Sequence, residues 1–171
     1  WSIPVQINSP SQRCQGADVE VGPGGIVYVC WAGVTSASPF TEDMVGFARS
    51  TDGGAAWMVT ENAFDVNGIA GVLSQKANIR VNGLPRMAVD STFEKRIYIV
   101  TTQKNLPPAA SDPDIVIRFS FDSGATWSAG IRVNQDNPDN GKIQYFPAIH
   151  ADRSGGVNIL YYSDETTTDD S

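Results

Sequence analysis

Apolar and polar residues alternate along this chain in short runs, and almost nowhere do they recur at helical spacing. The runs are "IPVQIN" (3–8), "DVEV" (18–21), "IVYVCW" (26–31), "MVGFA" (44–48), "MAVD" (87–90), "RIYIVTT" (96–102), "DIVIRFS" (114–120), "IRVN" (131–134), "PAIHA" (147–151) and "VNILYY" (157–162). Period-two alternation in β-branched and aromatic residues, bounded by Gly, Pro, Asn and Asp, predicts short strands. The expected fold class is all-β. Only residues 65–79, "DVNGIAGVLSQKANI", have a spacing that would hold a helical turn, and their two Gly weaken it.

The strands fall into a repeat. "GADVEVGPGGIVYVCW" (16–31), "LPRMAVDSTFEKRIYIVT" (84–101) and "FPAIHADRSGGVNILYY" (146–162) each read as strand, tight turn, strand. Aligning Ala17, Pro85 and Pro147 places Val19 and Val21, Met87 and Val89, and Ile149 and Ala151 on one face. The first two hairpins lead into a third strand, then "STDGGAAW" (50–57) or "SFDSGATW" (120–127), then a fourth. "WSIPVQIN" (1–8) parallels "WSAGIRVN" (127–134), so Trp1 reads as the last letter of a further copy. With strands named A to D, the chain runs D, ABCD, ABCD, AB. It opens inside one repeat and ends inside another. Four-stranded antiparallel units in tandem describe β-propeller blades, with residues 1–8 as strand D of a preceding blade, 16–63 and 84–134 as blades, and 146–171 as the start of a further one. An eleven-stranded β-sandwich is the alternative, and it leaves the register of the repeats unexplained.

The two eight-residue turns resemble the Asp-box, or BNR repeat, of sialidases and other secreted propellers. Ser50, Asp52, Gly54 and Trp57 carry the likeness in the first copy, and Ser120, Asp122, Gly124 and Trp127 in the second. The first has Ala56 where Thr is common, and the second keeps Thr126. The resemblance implies part of a six-bladed sialidase-like propeller at an extracellular or cell-surface location. It marks scaffold rather than chemistry. An Asp carboxylate accepts backbone N–H groups across a turn, Gly takes positive φ, and Trp covers the hairpin while its N–H finds a polar partner.

Chemistry is expected at the other end of each unit. The A–B and C–D turns are tight, whereas the D–A and B–C connections are long and leave the opposite end of an antiparallel sheet. That end collects Arg13, Glu42, Asp43, Lys76, Arg80, Lys104, Asp112, Asp114, Asp136, Asp139, Lys142 and Tyr145. A sialidase grips its substrate carboxylate with guanidinium groups and works with an acid/base carboxylate and a Tyr nucleophile. The family's first Arg precedes the Pro of strand A by two places; the aligned residues here are Gln15, Gly83 and Tyr145, and none is Arg. The family's acid/base Asp lies in a loop before an Asp-box strand, which puts forward Asp112 and Asp114, with Tyr145 as a residue lining the face. Against these stand plain readings: polar residues entering strand C, and Tyr145 in packing. His150 reads as a wall residue, Trp31 as core between units. A lone His does not support zinc. "NQDNPDNG" (134–141) and "SDETTTDD" (163–170) are oxygen-rich enough for a structural Ca²⁺ but lack EF-hand spacing.

A net charge of −7 argues against nucleic acid as a partner, and no apolar run reaches the roughly 18 residues of a membrane span. Cys14 and Cys30 flank a hairpin with an offset of about three residues, leaving a disulfide or two thiols open. Two functions follow: a sialidase-like propeller that acts on or binds carbohydrate, including exo-glycosidase activity, or a non-catalytic module that binds glycan or protein or serves structure. Its expected partners are carbohydrate or glycoprotein, and the remaining blades from the same or another chain.

Overall fold

The computed structural model describes residues 3–69, 71–73, 79–93, 95–108 and 111–164, with side chains at 72 and 73 left aside. Every described element except one short 3-10 turn at Pro23–Gly25 is a strand. The first sheet is a meander, in order β1 (Cys14–Val21), β2 (Val27–Val34), β3 (Glu42–Ser50) and β4 (Met58–Asp65). Strands β5 (Gly71–Leu73) and β6 (Ile79–Val81) form a small hairpin. The second sheet repeats the meander with β7 (Arg86–Val89), β8 (Ile97–Gln103), β9 (Asp114–Ser120) and β10 (Ile131–Arg132), and β11 (Gln144–Ala151) pairs with β12 (Val157–Ser163) in a third. All pairing is antiparallel.

Two expectations change. Residues 65–79 show strand β5 and the start of β6 rather than a helical turn among their described part, because Gly disfavours helix and β-branched residues favour extended backbone. Residues 3–8 form no strand; Ile7 packs on the first sheet instead. Trp1 and residues 165–171 lie outside the described residues. Cys30 pairs opposite Asp18 and Cys14 opposite Gly33, and both are free thiols. Burial pushes the Cys30 thiol up and out of the reactive range.

The repeat in sequence is a repeat in backbone. Strands β1 and β11 carry the same bulge, between Gln15 and Asp18 and between Tyr145 and Ala148. Each bulge contains one residue of positive φ, Gly16 at 60° and Phe146 at 52°, and these two are equivalent in the repeat. Asp90 and Asp152, also equivalent, each cap the following turn through backbone N–H groups, of Thr92 and Phe93 in one case and of Ser154 and Gly156 in the other.

The sheets stack in chain order. Tyr28, Cys30, Val45 and Phe47 of the first sheet meet Met87, Val89, Ile97 and Ile99 of the second in one buried cluster. The third sheet lies on the far side, with β11 against β7, β8 and β9, and β1 lies against β7. The backbone N–H of Met87 donates to Asp18 Oδ2 across the first seam (2.9 Å). Strand β8 is covered from both sides, and its apolar first half, Ile97–Val100, runs on into buried Thr101, Thr102 and Gln103.

Trp127 fills the first seam, edge-on to Phe47 (5.3 Å) and Phe64 (5.2 Å). Gly124 lies so close to Phe47 that an added Cβ would stand 2.1 Å from the ring. Phe47→Ala is therefore expected to lose about 3–5 kcal/mol of stability, the range for truncating a buried aromatic. Urea denaturation measures it, and a loss below about 1 kcal/mol would place the stabilising contacts elsewhere.

Candidate functional site

The antiparallel order brings the long connections to one end of the stack, where two cavities flank the start of β3. Adjacent residues of a strand point to opposite faces, and Glu42 and Asp43 divide accordingly. Glu42 lines a cavity of about 200 Å³ with Arg13, Gln15, Phe40, Arg80 and Asn82. Asp43 lines one of about 320 Å³ with Asp65, Asn67, Gln103, Asn105 and Arg118.

Glu42 is 4% exposed. Its Oε1 accepts the backbone N–H of Gly83 (3.0 Å), and its Oε2 has no hydrogen-bond partner. Gly68 makes room for it, since a Cβ there would stand 2.3 Å from Oε2. Arg13 and Arg80 are exposed and make no ion pair among the described residues. The Arg13 guanidinium lies over the Phe40 ring (4.2 Å), which holds it at the cavity rim. Two guanidiniums beside amide side chains form an oxyanion-accepting edge, and the buried carboxylate sets an acceptor in the wall. In the second cavity Arg118 lies over Phe64 (4.8 Å) and donates to Gln103 Oε1 (3.2 Å). Burial holds its guanidinium below the ordinary value, with Asp65 pulling the other way.

Asp114 sits elsewhere, at the start of β9, and is 1% exposed. Arg132 Nε (2.7 Å) and Asn134 Nδ2 (2.7 Å) both donate to its Oδ1. Asn134 Nδ2 also donates to Asp136 Oδ1 (2.7 Å) and Gln144 Oε1 (2.8 Å), and Arg132 Nη2 donates to Asp136 Oδ1 (2.8 Å). This closed network ties β9, β10 and β11 together, and an enclosed, ion-paired carboxylate is poorly placed to exchange protons with a substrate. Asp112 is a loop clasp, accepting the backbone N–H of Gly141 (2.8 Å). Tyr145 packs on Ile69, Val81 and Ile143 and stacks on Tyr162 (5.6 Å). Asp112, Asp114 and Tyr145 each have partners of their own, and none of them lines either cavity beside β3. His150 is exposed on β11 rather than held in a wall. Trp31 is buried on the first sheet's other face, clustered with Val29 and Ala48 and donating to Gln12 Oε1 (2.9 Å). Asp136 and Asp139, in the loop read as a possible calcium site, already accept hydrogen bonds from Asn140 and Ser111. Among the described residues no group of three His, Cys, Asp or Glu is suited to a metal.

At the opposite end the two Ser-x-Asp-x-Gly-x-x-Trp turns superpose in their bonding. Ser50 and Ser120 each donate to the following Asp (2.8 Å) and accept the Gly54 or Gly124 N–H (2.8 Å). Each Asp Oδ1 accepts the N–H four residues on, of Ala56 (2.9 Å) and Thr126 (2.8 Å). Positive φ falls on two residues of each turn, Gly53 and Gly54, then Ser123 and Gly124. Trp57 Nε1 donates to Gly54 O (3.0 Å), whereas Trp127 Nε1 has no partner, because its ring is drawn into the seam.

The Thr126 hydroxyl adds a bond to Asp122 Oδ2 (2.6 Å), which Ala56 cannot make to Asp52. That bond leads the causes that hold the Asp122 carboxyl down at about 2, while Asp52 is lowered chiefly by the Ala56 N–H. Because the folded value lies below the ordinary 3.8, Asp122 supports the fold above about pH 4 and ceases to as pH falls towards 2. Thr126→Val should raise the Asp122 midpoint and shrink this acid-side loss, and Ala56→Thr should lower that of Asp52. Carboxyl NMR titration reads both; an unmoved Asp122 midpoint would show that the hydroxyl does not hold the charge.

No protein-family model matches the chain, and no curated protein matches it.

Proposed function

We propose that the chain is a segment of an Asp-box propeller whose long-connection end binds carbohydrate, in an extracellular or cell-surface setting. The stacked meanders, the repeated bulges and the paired turns support the propeller part of this reading. One observation carries the binding part: Arg13 and Arg80 open on the cavity walled by Glu42 and make no ion pair among the described residues, in a chain of net charge −7. Unneutralised cations in an acidic protein, set beside an aromatic edge and two side-chain amides, match a polar ligand better than they match packing. Binding is favoured over hydrolysis because Asp114 is enclosed by Arg132 and Asn134. Hydrolysis is the second reading and has its own support, since Asp43 and Asp65 line one cavity with Arg118 and glycosidases work with two carboxyl groups.

Saturation-transfer NMR against a panel of neutral and acidic saccharides tests the first reading. Arg13→Ala with Arg80→Ala should weaken the binding at least about tenfold, or about 1.4 kcal/mol. An absence of saccharide binding, or binding unmoved by the double variant, overturns it. Turnover of a fluorogenic sialoside or another glycoside, lost in Asp43→Asn or Asp65→Asn, would establish the second reading in its place.

A further inference from the structure

The sequence holds three Asn–Gly pairs, Asn67–Gly68, Asn82–Gly83 and Asn140–Gly141. An Asn–Gly pair is a reactive sequence. The Gly backbone nitrogen can attack the Asn side-chain carbonyl carbon, expel ammonia and close a succinimide ring, and Gly lacks the Cβ that would shield that nitrogen. Three things favour the closure: a base that takes the N–H proton, a donor that stabilises the oxyanion on Oδ1, and space for the backbone to move. The fold deals these out unequally.

At Asn140–Gly141 all three coincide. The Gly141 N–H donates to a carboxylate oxygen, Asp112 Oδ2 (2.8 Å). The Lys142 N–H donates to Asn140 Oδ1 (2.8 Å), the oxygen on which negative charge develops. Asn140 Nδ2, the departing nitrogen, donates to Asp136 Oδ2 (2.9 Å). Both residues of the pair are exposed, and beyond the chain neighbours nothing lies within 4 Å of the place a Cβ on Gly141 would occupy. The other two pairs each lack a part. The Gly83 N–H also meets a carboxylate, Glu42 Oε1 (3.0 Å), but Gly83 is buried and a Cβ there would stand 2.5 Å from Thr102 O. Asn82 Oδ1 receives the Leu84 N–H at a longer 3.3 Å. The Gly68 N–H donates to the backbone carbonyl of Glu42 (2.9 Å), which is no base, and the Asn67 carbonyl is tied to the Lys104 N–H (2.7 Å).

We propose that Asn140 is a self-modification site, where the loop itself converts Asn140 to aspartate and isoaspartate. Asp112 Oδ2 takes the Gly141 N–H proton as the bond from that nitrogen to Asn140 Cγ forms, and the Lys142 N–H holds the oxyanion. The Cγ–Nδ2 bond then breaks, and the proton passes from Asp112 to the departing nitrogen, directly or through solvent water, so that ammonia leaves. One water opens the succinimide at either carbonyl, and no oxidant or reductant is needed. The product sets an acceptor where Asn140 Nδ2 had donated to Asp136, and in isoaspartate it also lengthens the main chain by a methylene. The reaction thereby loosens the connection between β10 and β11, which Asp112 and Asp136 otherwise clasp. Nothing in it depends on carbohydrate binding, and either can fail without the other.

Incubation at neutral pH and body temperature, followed by peptide mapping with mass spectrometry, tests the site, and electron-transfer fragmentation separates isoaspartate from aspartate. In the folded protein Asn140 should deamidate at least about tenfold faster than Asn67 or Asn82, and Asp112→Asn should slow it at least about tenfold, well within what a positioned base contributes. That substitution keeps a side-chain acceptor for the Gly141 N–H but not a base, and near-UV circular dichroism checks that the variant stays folded. In urea the three pairs should react at similar rates, with or without Asp112→Asn. An Asn140 no faster than the other two overturns the proposal, and this comparison within wild type decides it even where the variant fails to fold. A folded Asp112→Asn variant that keeps the wild-type rate overturns it as well. So does an equal preference for Asn140 in urea, which would assign the reactivity to local sequence.

Discussion

The seam between the first and second sheets is the contact on which the rest of the arrangement depends. Trp127 leaves its own turn to enter it, at the cost of an indole N–H without a partner. The gain is apolar area buried against Phe47 and Phe64, together with the close approach that Gly124 permits. A buried N–H left unmade costs about 1–3 kcal/mol, and burying a large aromatic returns at least as much. The same seam aligns β1 with β7, and so fixes which ends of the strands lie together.

From that alignment comes a division of labour between the two ends. At the short-turn end, Asp52, Asp122, Asp90 and Asp152 are spent on backbone N–H groups and hydroxyls, which leaves them committed to shape. At the long-connection end, acidic residues split into two kinds. Asp114, Asp136 and Asp112 bind loops together, while Glu42, Asp43 and Asp65 face cavities. Ligand chemistry has room only where the carboxylates and guanidiniums are not already paired with each other.

How much of this is legible along the chain depends on the range of the interaction. The turns are legible because every bond in them spans at most four residues, and the interior strands because β2 and β8 are covered on both sides. The β5–β6 pair is not, because its two three-residue strands are too short to show a periodicity of their own. Asp114 looks available in sequence because the groups that enclose it, Arg132 and Asn134, lie 18 and 20 residues on. The long-connection end correctly gathers Arg13, Glu42 and Arg80, but their sharing of one cavity is a property of three separate connections. Phe146 gives no sign of its own of a positive φ; its alignment with Gly16 takes on meaning only once the two bulges are seen.

Glu42 shows how scaffold and site are joined. A carboxylate at 4% exposure with one unpartnered oxygen is costly, and burial of such a group persists where surrounding structure holds it. Here it is held by the Gly83 N–H and by the bare surfaces of Gly68 and Gly83, two residues from the connection between the first and second sheets. That connection also carries Arg80 and Asn82 into the same cavity. The segment that links the two sheets thus both supports the buried acceptor and supplies Arg80, one of the two guanidiniums at the cavity that make no ion pair among the described residues. A change in how the sheets are joined would alter the ligand cavity before it altered either sheet.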